Sequence, residues 1–125
     1  MAVLSTFALG EAADGRVTKK DARSLVLAVL RDQGTPVNSR KFELDEQTNP
    51  YFPDLDTFYA YFDMPKRLAL IGTYVVNPRT AEIWDVGMCV QPRSLSVEQL
   101  QKALRFRYRL PVDKGIESAV RYVCT

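Results

Sequence analysis

The sequence predicts an α+β domain: an N-terminal helix packed on an antiparallel β-meander, followed by C-terminal helices. Three observations carry this expectation. Apolar residues recur at helical spacing at Ala22, Leu25, Val26, Val29 and Leu30, one buried face of a helix over 19–33. Two runs rich in β-branched and aromatic residues, 71–76 and 82–86, flank Asn77-Pro78-Arg79-Thr80, which has the composition of a type I turn. A second helical stripe then follows at Val97, Leu100, Ala103, Leu104 and Tyr108. At 125 residues the chain has the size of one domain, 1–125, able to bury roughly two-thirds of the surface its unfolded form exposes.

Each element has local reasons. Thr18 with Asp21 three residues on is a variant capping box, while Gly34 and Pro36 stop the first helix. Residues 42–45 alternate and suggest a short strand. Prolines 50 and 53 break any regular element, leaving Tyr51 and Phe52 in a stiff aromatic loop. From Phe58 the pattern has period two, so Phe58, Ala60 and Phe62 should face a core and Tyr59 and Tyr61 should look outward. Residues 64–67 read as a loop before the 71–86 hairpin. In its second arm, Ile83 and Asp85 point one way while Glu82, Trp84 and Val86 point the other. Pro92 breaks the sheet, Ser94 or Ser96 caps the next helix, and Pro111 ends it. Ile116, Ala119, Val120 and Val123 then suit a short final helix.

Composition removes several kinds of chemistry. Histidine is absent, which excludes Ser-His-Asp and Cys-His mechanisms and leaves a zinc site short of its usual ligands. No cofactor fingerprint or phosphate loop occurs, so no cofactor is expected. A net charge of +2 gives little field for nucleic acid, and no apolar run reaches membrane-spanning length. Arg105-Phe106-Arg107-Tyr108-Arg109 mixes cations with aromatics, yet a helix sends these arginines to different azimuths.

Cys89 and Cys124 are compatible with two buried thiols or with a disulfide tying the C-terminal tail to the sheet. A bridge places the protein in the periplasm or outside the cell; unpaired thiols fit the cytoplasm. Residues 1–14, apolar and then small, resemble either the remnant of a signal peptide or an N-terminal helix.

The segment Gly72-Thr73-Tyr74-Val75-Val76-Asn77-Pro78-Arg79-Thr80-Ala81-Glu82-Ile83-Trp84-Asp85 resembles a strand–turn–strand pattern, Y-x-V-N/D-x-x-T-G-E-I/V-W. That pattern occurs in small exported bacterial α+β domains, among them PepSY-like proteins and immunity proteins of NTF2-like fold. Ala81 stands where those families carry glycine, at a position expected to need positive φ. The resemblance implies a cystatin/NTF2-like form of the architecture and a non-catalytic inhibitor or immunity protein that blocks a toxin or hydrolase.

Aromatic residues and arginine are enriched at protein–protein hot spots, so Tyr51, Phe52, Tyr59, Tyr61, Arg67 and Arg79 are the candidate partner-binding residues. Trp84 is expected to be partly buried. The alternative is a small-ligand-binding protein or carboxylate enzyme of NTF2-like fold, in which Asp54, Asp56, Asp63 or Asp85 would line a cleft.

Overall fold

The computed structural model describes residues 15–110. The final helix expected near 116–123, the reading of 1–14 and the position of Cys124 lie outside the described residues. Within them the order is α1 (Lys19–Asp32), β1 (Phe42–Gln47), β2 (Asp56–Met64), β3 (Arg67–Asn77), β4 (Glu82–Asp85) and α2 (Leu95–Tyr108). The strands form one antiparallel sheet in the order β1-β2-β3-β4, a plain meander with a helix before it and another after it.

Helix α1 begins where the sequence places it. The Thr18 hydroxyl accepts the Asp21 N–H, supplying one of the partners that a helix start lacks. It ends in a Schellman motif: Gly34 at φ +83 donates to the Arg31 carbonyl, and Thr35 donates to that of Leu30. Ala22, Leu25, Val26, Val29 and Leu30 are all buried and pack with Leu44, Phe58, Ala60, Tyr74, Val76 and Ile83 from the sheet. Helix α2 is capped by Ser94 rather than Ser96. Val97, Leu104 and Tyr108 seal the same core, whereas Ala103 is exposed. The helices are clasped at both ends. The hydroxyls of Ser94 and Ser96 donate to Asp32, which holds its carboxyl below the usual range. At the other end Tyr108 donates to Asp21, which also pairs with Arg107 at 3.1 Å.

The hairpin expected at the 77–80 turn forms, with Val75 opposite Trp84 and Val76 opposite Ile83. Asn77 O accepts from both Thr80 and Ala81, and Ala81 takes φ 63, the positive value its place in the turn demands. Its methyl is fully buried in the main core. Two α2 side chains then fasten this turn: Gln101 Nε2 reaches Ala81 O at 2.9 Å and Arg105 Nε reaches Thr80 O at 2.8 Å. Two of the three interleaved basic residues are thus engaged, Arg105 on the turn and Arg107 on Asp21.

The first three strands run longer than their composition suggests, while β4 stops at Asp85, one residue short of the 82–86 run. β3 begins at Arg67, opposite Met64, so the loop expected at 64–67 is a tight turn. The register jumps between Ala60 and Tyr61: Ala60 pairs with Gly72, but Tyr61 pairs with Leu70, leaving Ile71 as a β-bulge. Beside it, Gly72 accommodates the ring of Tyr74, since a Cβ there would lie 3.0 Å from that ring.

Candidate functional site

Both helices use one face of the sheet, and side chains alternate across it, so the register assigns the residues of the other face. Four cross-strand rows result: Asp63 beside Leu68; Glu43, Tyr61 and Leu70; Asp45, Tyr59 and Thr73; and Gln47, Thr57, Val75 and Trp84. The aromatic loop folds over the last row. Phe52 retains only 3% of its exposure and packs with Val75 and Trp84, with Leu55 and Val86 at the margin. Trp84 is buried there, so the helix-free face carries a small second core at one end. The other end is bare: Leu68 and Leu70 are 63% and 67% exposed.

The six residues expected to contact a partner therefore fall in separate places. Phe52 is corrected from exposed anchor to loop pin, because its ring closes the second core. Its neighbour Tyr51 is 74% exposed and, with Arg79, borders a small pocket of about 150 Å³ beside Phe52, Leu55 and Asn77. Tyr59 and Tyr61 occupy the middle of the bare face, half-buried rather than open. Arg67 is exposed at the far hairpin end, where alternation turns it to the helix side. Leu68, Leu70, Glu43 and Asp45 were not singled out from sequence. The signal was the alternation of Leu68, Ala69 and Leu70, masked by treating the preceding segment as loop.

Electrostatics distinguish the bare end. The Tyr61 hydroxyl donates to Asp45 Oδ2 at 2.7 Å. That bond, with some desolvation and the nearby charges of Asp45, Glu43 and Asp63, pushes its pKa up to about 12.

The carboxylates proposed for catalysis do not converge as a set. Asp85 is buried on the helix side, where it accepts the Met88 N–H, and Asp63 lies at the far hairpin end. Asp54 and Asp56 do border one polar cleft of about 260 Å³, together with Arg16, Lys19, Glu46 and Thr57. Burial, then the charge of Glu46, raises the proton affinity of Asp56; Glu46 itself pairs with Lys19 at 3.1 Å. Among the described residues no group of His, Cys, Asp or Glu could hold a metal ion, and no helix is long and apolar enough to cross a membrane.

Among the described residues the fold and this face define an α+β scaffold with one side closed by helices and half of the other left uncovered. No family model and no curated protein sequence matches the chain. Its architecture is similar to one chain in the structure of a type VI secretion system effector-immunity complex from Pseudomonas protegens. The TM-score is 0.74, with 17% identity over 89% of this chain and 91% of that one. At that identity the likeness establishes shared fold.

Proposed function

We propose that this chain is a non-catalytic binding protein of the immunity type, which engages a toxin or hydrolase through the bare half of its sheet. The observation that carries the reading is the pair of exposed leucines, Leu70 opposite Tyr61 and Leu68 opposite Asp63, on a face that no helix of the described residues covers. Exposed apolar side chains beside aromatic ones form the usual centre of a protein interface. The structural likeness to a chain of an effector-immunity complex supports the same reading, as does the hairpin's resemblance to exported immunity domains. An exported protein also suits a bridge between Cys89 and Cys124.

The test is co-purification from the native host with wild type against a Leu68→Ala/Leu70→Ala/Tyr61→Ala variant of unchanged melting temperature. A partner retained by wild type and lost by the variant is expected. Equal retention by both removes this face from the function. The cleft at Asp54 and Asp56 favours a second reading, a carboxylate enzyme. In that case hydrolysis of a substrate would be lost in Asp56→Asn while partner capture stayed intact.

A further inference from the structure

We infer that the occupant of the bare sheet face is a cationic protein surface, presenting lysine or arginine around an apolar contact that covers Leu68 and Leu70. This rests on the binding reading above and specifies the chemistry of its partner. The chain as a whole carries a net charge of +2. The bare face is net acidic: Glu43, Asp45 and Asp63 stand on it around Tyr61, against one cation at its edge, Lys41, whose carbonyl accepts the Asp63 N–H. The four strands hold a single basic residue, Arg67, and alternation places it on the other side.

The ion pairs that join Lys19 to Glu46 and Arg107 to Asp21 leave these three carboxylates aside. Asp45 accepts the Tyr61 hydroxyl at 2.7 Å. A negative rim around two exposed leucines repels an acidic partner and attracts a basic one. Complementary charge at a rim raises the rate of encounter and fixes register more than it adds affinity. The apolar centre supplies the burial, and the rim selects what may be buried there.

The test has two arms. In the first, hexa-arginine and hexa-glutamate are titrated separately into the uniformly 15N-labelled chain, and amide shifts are mapped. Hexa-arginine is expected to move the amides of Glu43, Asp45, Tyr61 and Asp63. The effect should fade between about 50 and 300 mM salt as the Debye length contracts. It should weaken about tenfold in Glu43→Lys/Asp63→Lys, with hexa-glutamate inert on wild type. Shifts centred on Asp54 and Asp56, or indifferent to the reversal, overturn the inference.

In the second arm, the protein captured from the host is purified and treated with a carbodiimide, which joins carboxylates to amines in direct contact. Links from Glu43 or Asp63 to partner lysines, or loss of binding in the reversed variant where the contacts are arginine, support the inference. A partner that binds Leu68→Ala/Leu70→Ala poorly and the reversed variant normally overturns the charge assignment while leaving the binding function standing. Absence of any partner removes both.

Discussion

Among the described residues three that are not glycine, Ala81, Cys89 and Arg109, hold left-handed backbone conformations, and Ala81 at φ 63 and Arg109 at φ 54 make a controlled pair. A left-handed L-residue carries roughly 1–2 kcal/mol of strain that glycine avoids. Glycine returns about 0.4–1 kcal/mol of this through the greater freedom of its unfolded chain. Arg109 is exposed at the end of α2, so Arg109→Gly should stabilise by about 0.8 kcal/mol, from ~1.5 less ~0.7.

Ala81→Gly has the same two terms and one more: its methyl is fully buried among core residues, worth about 0.8 kcal/mol. That brings the net effect of Ala81→Gly close to zero. The strain and entropy terms cancel in the comparison, leaving the methyl. For a chain of this size the difference corresponds to about 3–4 °C in melting temperature. Thermal unfolding followed by circular dichroism in 0.5 M salt, which screens the arginine's interaction with the helix end, is the assay. If Ala81→Gly stabilises as much as Arg109→Gly, the buried methyl contributes nothing and the account of this turn is wrong.

Three other outcomes are expected. Phe52→Ala should cost about 3 kcal/mol and shift the emission of Trp84, the chain's one tryptophan, to the red as water reaches it; an unchanged spectrum places the loop elsewhere. Tyr61 ionises near pH 12, so the fold favours its neutral form: this contribution is complete below the ordinary tyrosine value of about 10 and vanishes as pH rises through 12. Tyrosinate absorbance of wild type minus Tyr61→Phe should show that late titration, and Asp45→Asn should bring it earlier. Finally, intact mass before and after reduction with alkylation will report on Cys89 and Cys124: a bridged pair accepts alkylation only once reduced, and immediate labelling of both argues against an exported protein.

The α+β plan was legible because its signals are periodic and local. The α1 stripe, the Thr18 cap and the Gly34 stop depend on neighbours within a few positions, and each is found in place. The turn at 77–80 could be read for the same reason, while the positive φ at Ala81 was implied by the resemblance to a pattern with glycine there. The binding face was less legible, because exposure depends on what folds over a side chain. Tyr51 and Phe52 are adjacent and both aromatic, and only tertiary packing makes one a surface residue and the other a core residue. Tyr61 looked free from its alternation, yet its hydroxyl finds Asp45 on a strand 16 positions earlier in sequence. Leu68 and Leu70 escaped notice because a bulge lies between them and the recognisable hairpin.

That bulge sets the phase of the sheet. With Ile71 as the extra residue, Leu68 and Leu70 share a side with Tyr61; the same sequence paired without the bulge would exchange inside for outside across 67–70, turning Ala69 to the solvent and both leucines toward the helices. The hairpin end beyond 71 is thus geared separately from the part that holds Tyr74 and Val76 in the core. Whether one residue there is paired or bulged decides what this end of the sheet displays, while the pairing of Tyr74 and Val76 stays as it is. The pairing of a single residue, rather than the replacement of contacts one by one, sets which side chains this end of the scaffold presents.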